Sequence, residues 1–136
     1  IEAASRGAAE VTFVDRSRFS MQAIRANLTS LNLLPGSLAP FVMVQSDLIA
    51  ALKRLSRRRP ASFDLVLLDP PYGRGLARKA LIALGGYAIL TPAAIVVVEH
   101  GKQEVFPPQM EGEAGLIVLQ RQEQYGDTAL TIYQKQ

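Results

Sequence analysis

The sequence predicts an α/β fold, a mostly parallel doubly wound sheet that ends in an antiparallel hairpin. Two observations predict it. Short continuous apolar runs alternate with helical patterns as far as Val98, and beyond Pro107-Pro108 the pattern changes to two strand-like runs joined by a turn. Alternation of strand and helix is the signature of βαβ crossovers, which are right-handed and place helices on both faces of a parallel sheet.

Each element has its own signal. Ile1 to Arg6 read as the tail of a helix closed by Gly7, a residue suited to the left-handed position just past a helix end. Val11 to Val14, Phe41 to Val44, Leu65 to Leu68 and Ile95 to Val98 are rich in Val and Leu, as expected of strands covered on both faces. Between them, Met21, Ile24, Leu28 and Leu31 recur at helical spacing, as do Leu48, Ile49, Leu52 and Leu55, and then Leu76, Ala80, Leu81 and Leu84. Gly115 to Gln122 and Thr128 to Tyr133 flank Tyr125-Gly126-Asp127 and predict a hairpin on the sheet edge.

At 136 residues, 49% of them hydrophobic and 20% charged, the chain has the make-up of one soluble globular domain spanning residues 1–136. Its longest apolar run, Ala93 to Val98, is far too short for a membrane span. The absence of cysteine excludes disulfides, thiolate metal sites and a thiol nucleophile, and fits a cytoplasmic setting. A net charge of +3 gives weak support to an anionic partner such as RNA.

In open α/β sheets ligands bind beyond the carboxyl ends of the strands, and three of the apolar runs lead there to an acid: Asp15, Asp47 and Asp69. Asp15 has the position of an acid that accepts hydrogen bonds from both hydroxyls of a ribose. Asp47 can accept one from an adenine amino group, and carboxylates in such a cleft favour a cationic sulfonium ligand. The other reading of both is that they cap the helices that follow.

The sharpest signal is Asp69-Pro70-Pro71-Tyr72 directly after an apolar run. An exocyclic base amine is a poor nucleophile because its lone pair is delocalised into the ring. A carboxylate and a backbone carbonyl that accept its two N–H bonds draw the nitrogen toward a pyramidal geometry and expose that lone pair to an electrophilic methyl group. Two prolines stiffen the backbone and offer no donors, and Tyr72 can stack on a base turned out of its helix. The plainer reading is a strand-ending turn.

With these residues in view, the chain resembles the RsmD-type family of 16S rRNA guanine-N(2) methyltransferases, within the class I, Rossmann-like superfamily. Ile1 to Ala8 is similar to the helix after that family's cofactor glycine loop, and Val11 to Asp15 to its second strand with the ribose-binding acid. Arg25-Ala26-Asn27-Leu28 resembles a recurrent helix segment, Ser46-Asp47 the adenine-side acid, Phe63 to Tyr72 the catalytic motif and Tyr125 to Thr128 the C-terminal hairpin. The resemblance implies S-adenosylmethionine as methyl donor, held by Asp15, Arg16, Ser46, Asp47 and Asp69. It implies ribosomal RNA or an assembling small subunit as partner, with Asp69, Pro70, Pro71 and Tyr72 as the catalytic set.

That family's first strand and glycine-rich loop would precede Ile1. Their place lies between the strands ending at Asp15 and Asp69, a gap of about two strand spacings. The expectation is therefore an N-terminally incomplete domain, with six of seven strands represented.

Arg74, Arg78 and Lys79 follow Tyr72 and are placed to meet phosphates beside an extruded base, although a solvated helix face explains them nearly as well. Arg57-Arg58-Arg59 precedes its strand and reads as a solvated loop. Glu99-His100 reads as a strand-end polar pair that can also line the pocket, and a lone histidine without cysteine predicts no metal site. Phe13, Phe41 and Phe63 read as core. Rival functions are amino-methylation of adenine or cytosine in DNA or of a protein glutamine, and a catalytically silent binding module of the same fold.

Overall fold

The computed structural model describes residues 1–31, 41–73 and 75–136. Arg74, one of the expected substrate contacts, lies outside the described residues. The chain divides into two compact units, Ile1–Ala51 and Leu52–Gln136.

The first unit opens with a single helical turn, α1 (Glu2–Ser5). Gly7, at φ +93°, takes the left-handed conformation that lets the Ala8 N–H return to the Ala3 carbonyl at 2.9 Å. Strand β1 (Val11–Asp15) leads into helix α2 (Arg18–Ser30), whose N-cap Ser17 accepts from the Ser20 N–H. Met21 and Leu28 form the buried side of α2, while Leu31 ends the periodic row exposed at the C-cap. Strand β2 (Phe41–Gln45) pairs parallel to β1 from Val11 opposite Phe41 to Asp15 opposite Gln45. The rings of Phe13 and Phe41 stack at 6.2 Å between centroids.

Helix α3 (Leu48–Arg58) runs into the second unit. Ala51, Leu52 and Leu55 are buried, as their spacing requires, and Ile49 is exposed. The second unit holds β3 (Phe63–Leu68), α4 (Leu76–Gly85), β4 (Leu90–Gly101), β5 (Gln109–Gly112), β6 (Gly115–Tyr125) and β7 (Thr128–Lys135). They form a sheet in the order β3-β4-β7-β6-β5, in which β3-β4 is the parallel pair and the other pairs are antiparallel.

The architecture is thus mixed α/β, with two parallel pairs, β1-β2 and β3-β4, and three antiparallel ones among the described residues. β1 and β2 form one sheet and β3 to β7 another, and the hairpin β6-β7 supplies two of the five strands of the second. The run Leu65 to Leu68 is not covered on both faces: Leu65 is 47% and Leu67 64% exposed on one face, and among the described residues β3 is an edge strand paired to β4.

β4 is longer than its apolar run. Register jumps from Phe63 opposite Leu90 to Leu65 opposite Ile95, so the chain around Pro92 and Ala93 bulges. Proline has no ladder donor, and Ala93 sits at φ +62°, a left-handed conformation that costs a Cβ-bearing residue about 1 kcal/mol. Beyond the bulge, Ala94, Val96, Val98 and His100 are buried in alternation. Leu81 and Leu84 of α4, Ile117 and Tyr133 are likewise fully or nearly fully buried, each aliphatic one contributing about 1.5–3 kcal/mol. Strands β5 and β6 are drawn close to the end of α4: the Ala114 N–H donates to the Gly85 carbonyl at 3.0 Å, and a Cβ on Gly112 would lie 2.5 Å from that oxygen.

Candidate active site

β3 delivers Asp69. Its ladder with β4 ends at Leu68 opposite Val98, and Asp69 and Glu99 are the residues that follow on the two chains, close enough for the charge of Glu99 to be felt at Asp69. The Asp69 carboxyl is raised above the ordinary carboxylate value, first by partial burial and then by the negative charge of Glu99. It is exposed at the strand end and not sunk beneath the sheet.

Pro70 and Pro71 then carry the chain over the sheet lip without a donor, and Gly73 turns it at φ +79°. Between them Tyr72 lies 47% exposed, with its hydroxyl tied down at two points. It donates to Glu99 Oε1 at 2.5 Å, and Thr128 Oγ1 lies 2.8 Å from the same oxygen. Since the phenol has one proton, given to Glu99, the Thr128 hydroxyl is the donor in the second bond. The bond to Glu99 raises the Tyr72 phenol, opposed by the bond from Thr128. The ring is therefore held by its tip while its body stays open to solvent.

The structure brings Asp69, Tyr72, Glu99 and Thr128 together. Sequence reasoning found the first two. Glu99 obeys the same rule as Asp69, an acid directly after an apolar run, but its neighbour His100 made the pair look like an ordinary strand end. His100 is indeed core: it is fully buried, stacks 4.2 Å from the Phe106 ring, and bonds Gly101 O at 2.9 Å and Thr131 Oγ1 at 2.7 Å. A carbonyl only accepts, so Nδ1 is the donor to Gly101, and Nε2 is bonded to the Thr131 hydroxyl, which can give or accept. Thr128 entered the sequence reading only as part of the hairpin Tyr125 to Thr128, since its contact with Tyr72 spans 56 positions.

In the first unit Asp15 and Ser46 share the end of the β1-β2 ladder, the Ser46 N–H donating to the Asp15 carbonyl at 3.0 Å. The Asp15 carboxylate accepts the Ser17 N–H at 2.6 Å, and Asp47 accepts the Ala50 N–H at 3.0 Å. Both aspartates therefore do serve the helix starts, each through Oδ1. Among the described residues no bond to the second oxygen of either is recorded, which leaves each an acceptor for a ligand hydroxyl or amine. Arg16 is exposed just past Asp15.

Arg78 lies exposed on α4. Its charge is felt at Tyr133, whose buried phenol is pushed up to about 12 by desolvation against that opposing influence, and no contact with Tyr72 is recorded. Arg57 and Arg58 close α3, where cations suit the carbonyl end of a helix. Among the described residues there is no cluster of acids and histidine able to hold a metal ion, and no helix long and apolar enough to cross a membrane.

A family model described as "Conserved hypothetical protein 95" matches residues 1–134. The chain is 33% identical over 135 residues to "Putative rRNA methyltransferase YlbH" of Bacillus subtilis, covering 99% of this chain and 68% of that protein. "Ribosomal RNA small subunit methyltransferase D" of Buchnera aphidicola is 25% identical over 104 residues, 76% of this chain and 50% of its own length. Among solved structures, "putative methylase HI0767" of Haemophilus influenzae has a TM-score of 0.77 at 26% identity, over 98% of this chain and 70% of that one. "Putative methyltransferase yhhF" of Escherichia coli has a TM-score of 0.70 at 26% identity, over 99% and 67%.

Proposed function

Because the chain belongs to the conserved hypothetical protein 95 family, the RsmD-type family, we propose that it is the greater part of an S-adenosylmethionine-dependent enzyme that methylates the exocyclic amine of a guanine in small-subunit ribosomal RNA. The names of its relatives support an rRNA methyltransferase. The observation that carries the reading further is the ledge itself: an acid at the lip of β3, two donor-free prolines, and an aromatic ring fixed by its hydroxyl and open on its face.

The donor set fits the cofactor. Asp15 and Asp47 each keep a carboxylate oxygen beyond the one given to a helix start, as a ribose and an adenine amine require, and Arg16 and Ser46 flank them. When bound, S-adenosylmethionine supplies a methyl group on a positively charged sulfur, which is already a good leaving group. The chain's own work is orientation. Asp69 accepts one amine N–H, the carbonyl of Pro70 or Pro71 accepts the other, and Tyr72 stacks on the base. Arg74 and Arg78 are assigned to flanking phosphates.

The finer fold belongs to the same reading. The edge of β3 that carries no ladder among the described residues is where a further parallel strand of a doubly wound domain would pair. The greater length of the relatives supports this.

The decisive variant is Asp69→Ala in the full-length protein. It should bind S-adenosylmethionine as the parent does, by calorimetry, and lose about 100-fold or more of methyl transfer to small-subunit RNA, by a radiolabelled-methyl assay. Unchanged turnover sinks the assignment. Matched assays on DNA and on ribosomal subunits separate the rival amine substrates.

A further inference from the structure

We infer that Glu99 is a specificity-determining residue: its carboxylate, side by side with Asp69, accepts a ring N–H next to the reacting amine and so selects guanine among the amino-bearing bases. The inference rests on the proposed reading of Asp69 as the acceptor of a base amine, and adds to it what recognises the base.

Three features of the site lead there. Two acids, not one, follow the last parallel pair Leu68–Val98: Asp69 where β3 ends, and Glu99 on β4, which continues beside β7. Glu99 is half-buried, and its Oε1 is fixed by the Tyr72 hydroxyl, whose own oxygen is satisfied by Thr128, so the carboxylate is held in one orientation. An ionised carboxylate offers about four lone-pair positions and Tyr72 occupies one, so Glu99 retains acceptor capacity. Because that same carboxylate anchors the proposed stacking ring, a base lying on Tyr72 has its edge turned toward the acid pair.

Two neighbouring acceptors match only one kind of edge. Guanine carries the N2 amine directly beside the N1–H, an unbroken row of donors. Adenine sets a ring acceptor, N1, beside its amine, and cytosine likewise N3. Against Glu99 these lone pairs would meet negative charge with no proton between, and sites built to pair a polar group reject analogues lacking it far more strongly than sites built on shape. A strut that merely props Tyr72 would need only an acceptor there; a full carboxylate next to Asp69 raises the Asp69 proton affinity, a cost that donor recognition explains.

The test uses the full-length protein and 16S RNA, as transcript or reconstituted small subunit. The guanosine methylated by the parent protein is located by mass mapping and replaced, by ligation, with 2-aminopurine riboside, which keeps the exocyclic amine and has a bare acceptor at N1. The parent should prefer guanine by about 100-fold in kcat/KM. Glu99→Gln keeps an amide oxygen for Tyr72 but can present N–H to the ring nitrogen, so the preference should narrow to about tenfold or less. Tyr72→Phe cuts the tie while leaving the carboxylate, and should lower turnover on both bases and narrow the preference less than Glu99→Gln does. Calorimetric binding of S-adenosylmethionine to each variant checks that it is folded; should Glu99→Gln not fold, Glu99→Ala is read for the same narrowing.

A preference unchanged in the Glu99 variants, or equal loss on both bases, overturns this inference and leaves the proposed function standing. A parent that shows no preference does the same. Methylation of an adenine or cytosine amine by the parent protein overturns both.

Discussion

Asp69 and Glu99 impose a pH signature. In the proposed role the Asp69 carboxyl must be ionised to accept a hydrogen bond from the amine, and its folded value is raised by burial and by Glu99, in that order. Activity should therefore fall on acidification at a higher pH than an ordinary aspartate would give. In Glu99→Gln the acid limb of kcat/KM should move to lower pH yet stay above the ordinary range, because burial is the larger cause and remains. A limb that does not move means that Glu99 does not reach Asp69 electrostatically. At this scale the sequence was eloquent about Asp69 and Tyr72, since a strand, an acid, two prolines and an aromatic in a row have few uses. It under-read Glu99 and took Thr128 only as part of the hairpin, because both owe their meaning to one hydroxyl brought across from distant positions.

Elements that carry an apolar run were legible to within a residue or two: β1, β2 and β3 begin or end where Val, Phe and Leu cluster. The early part of β4 was hidden by Pro92, which argues against a strand until the bulge at Ala93 is seen. β5 had no signal at all, for Gln109 to Gly112 is a short polar run that becomes a strand only by pairing with β6. What permits that pairing is Gly112 against Gly85. Gly112→Ala should destabilise by about 1–3 kcal/mol in chemical denaturation, since its Cβ would stand 2.5 Å from a backbone oxygen that also serves Ala114. A neutral result would show that β5 and the end of α4 can part at little cost.

For the molecule as a whole, fold class was legible and sheet order was not. Alternating runs specify α/β, but they cannot say which strands share a ladder, and here the two ladders are unequal. A two-stranded ladder is marginal by itself, whereas β4 and β7 are flanked on both sides. Native-state hydrogen exchange should accordingly find the slowest amides in β4 and β7, with β1 and β2 opening at lower free energy. Equal protection throughout would refute this. The same inequality bears on chemistry at the ledge. Glu99 projects from a strand bonded to β3 on one side and to β7 on the other, whereas Asp69 ends a strand bonded on one side only. The two acids thus resemble the jaws of a vice, one bolted to the bench and one on a slide. Whatever comes to lie along the outer rim of β3 would tighten the sliding jaw, so grip on the proposed base could be adjusted without altering a single group assigned to touch it.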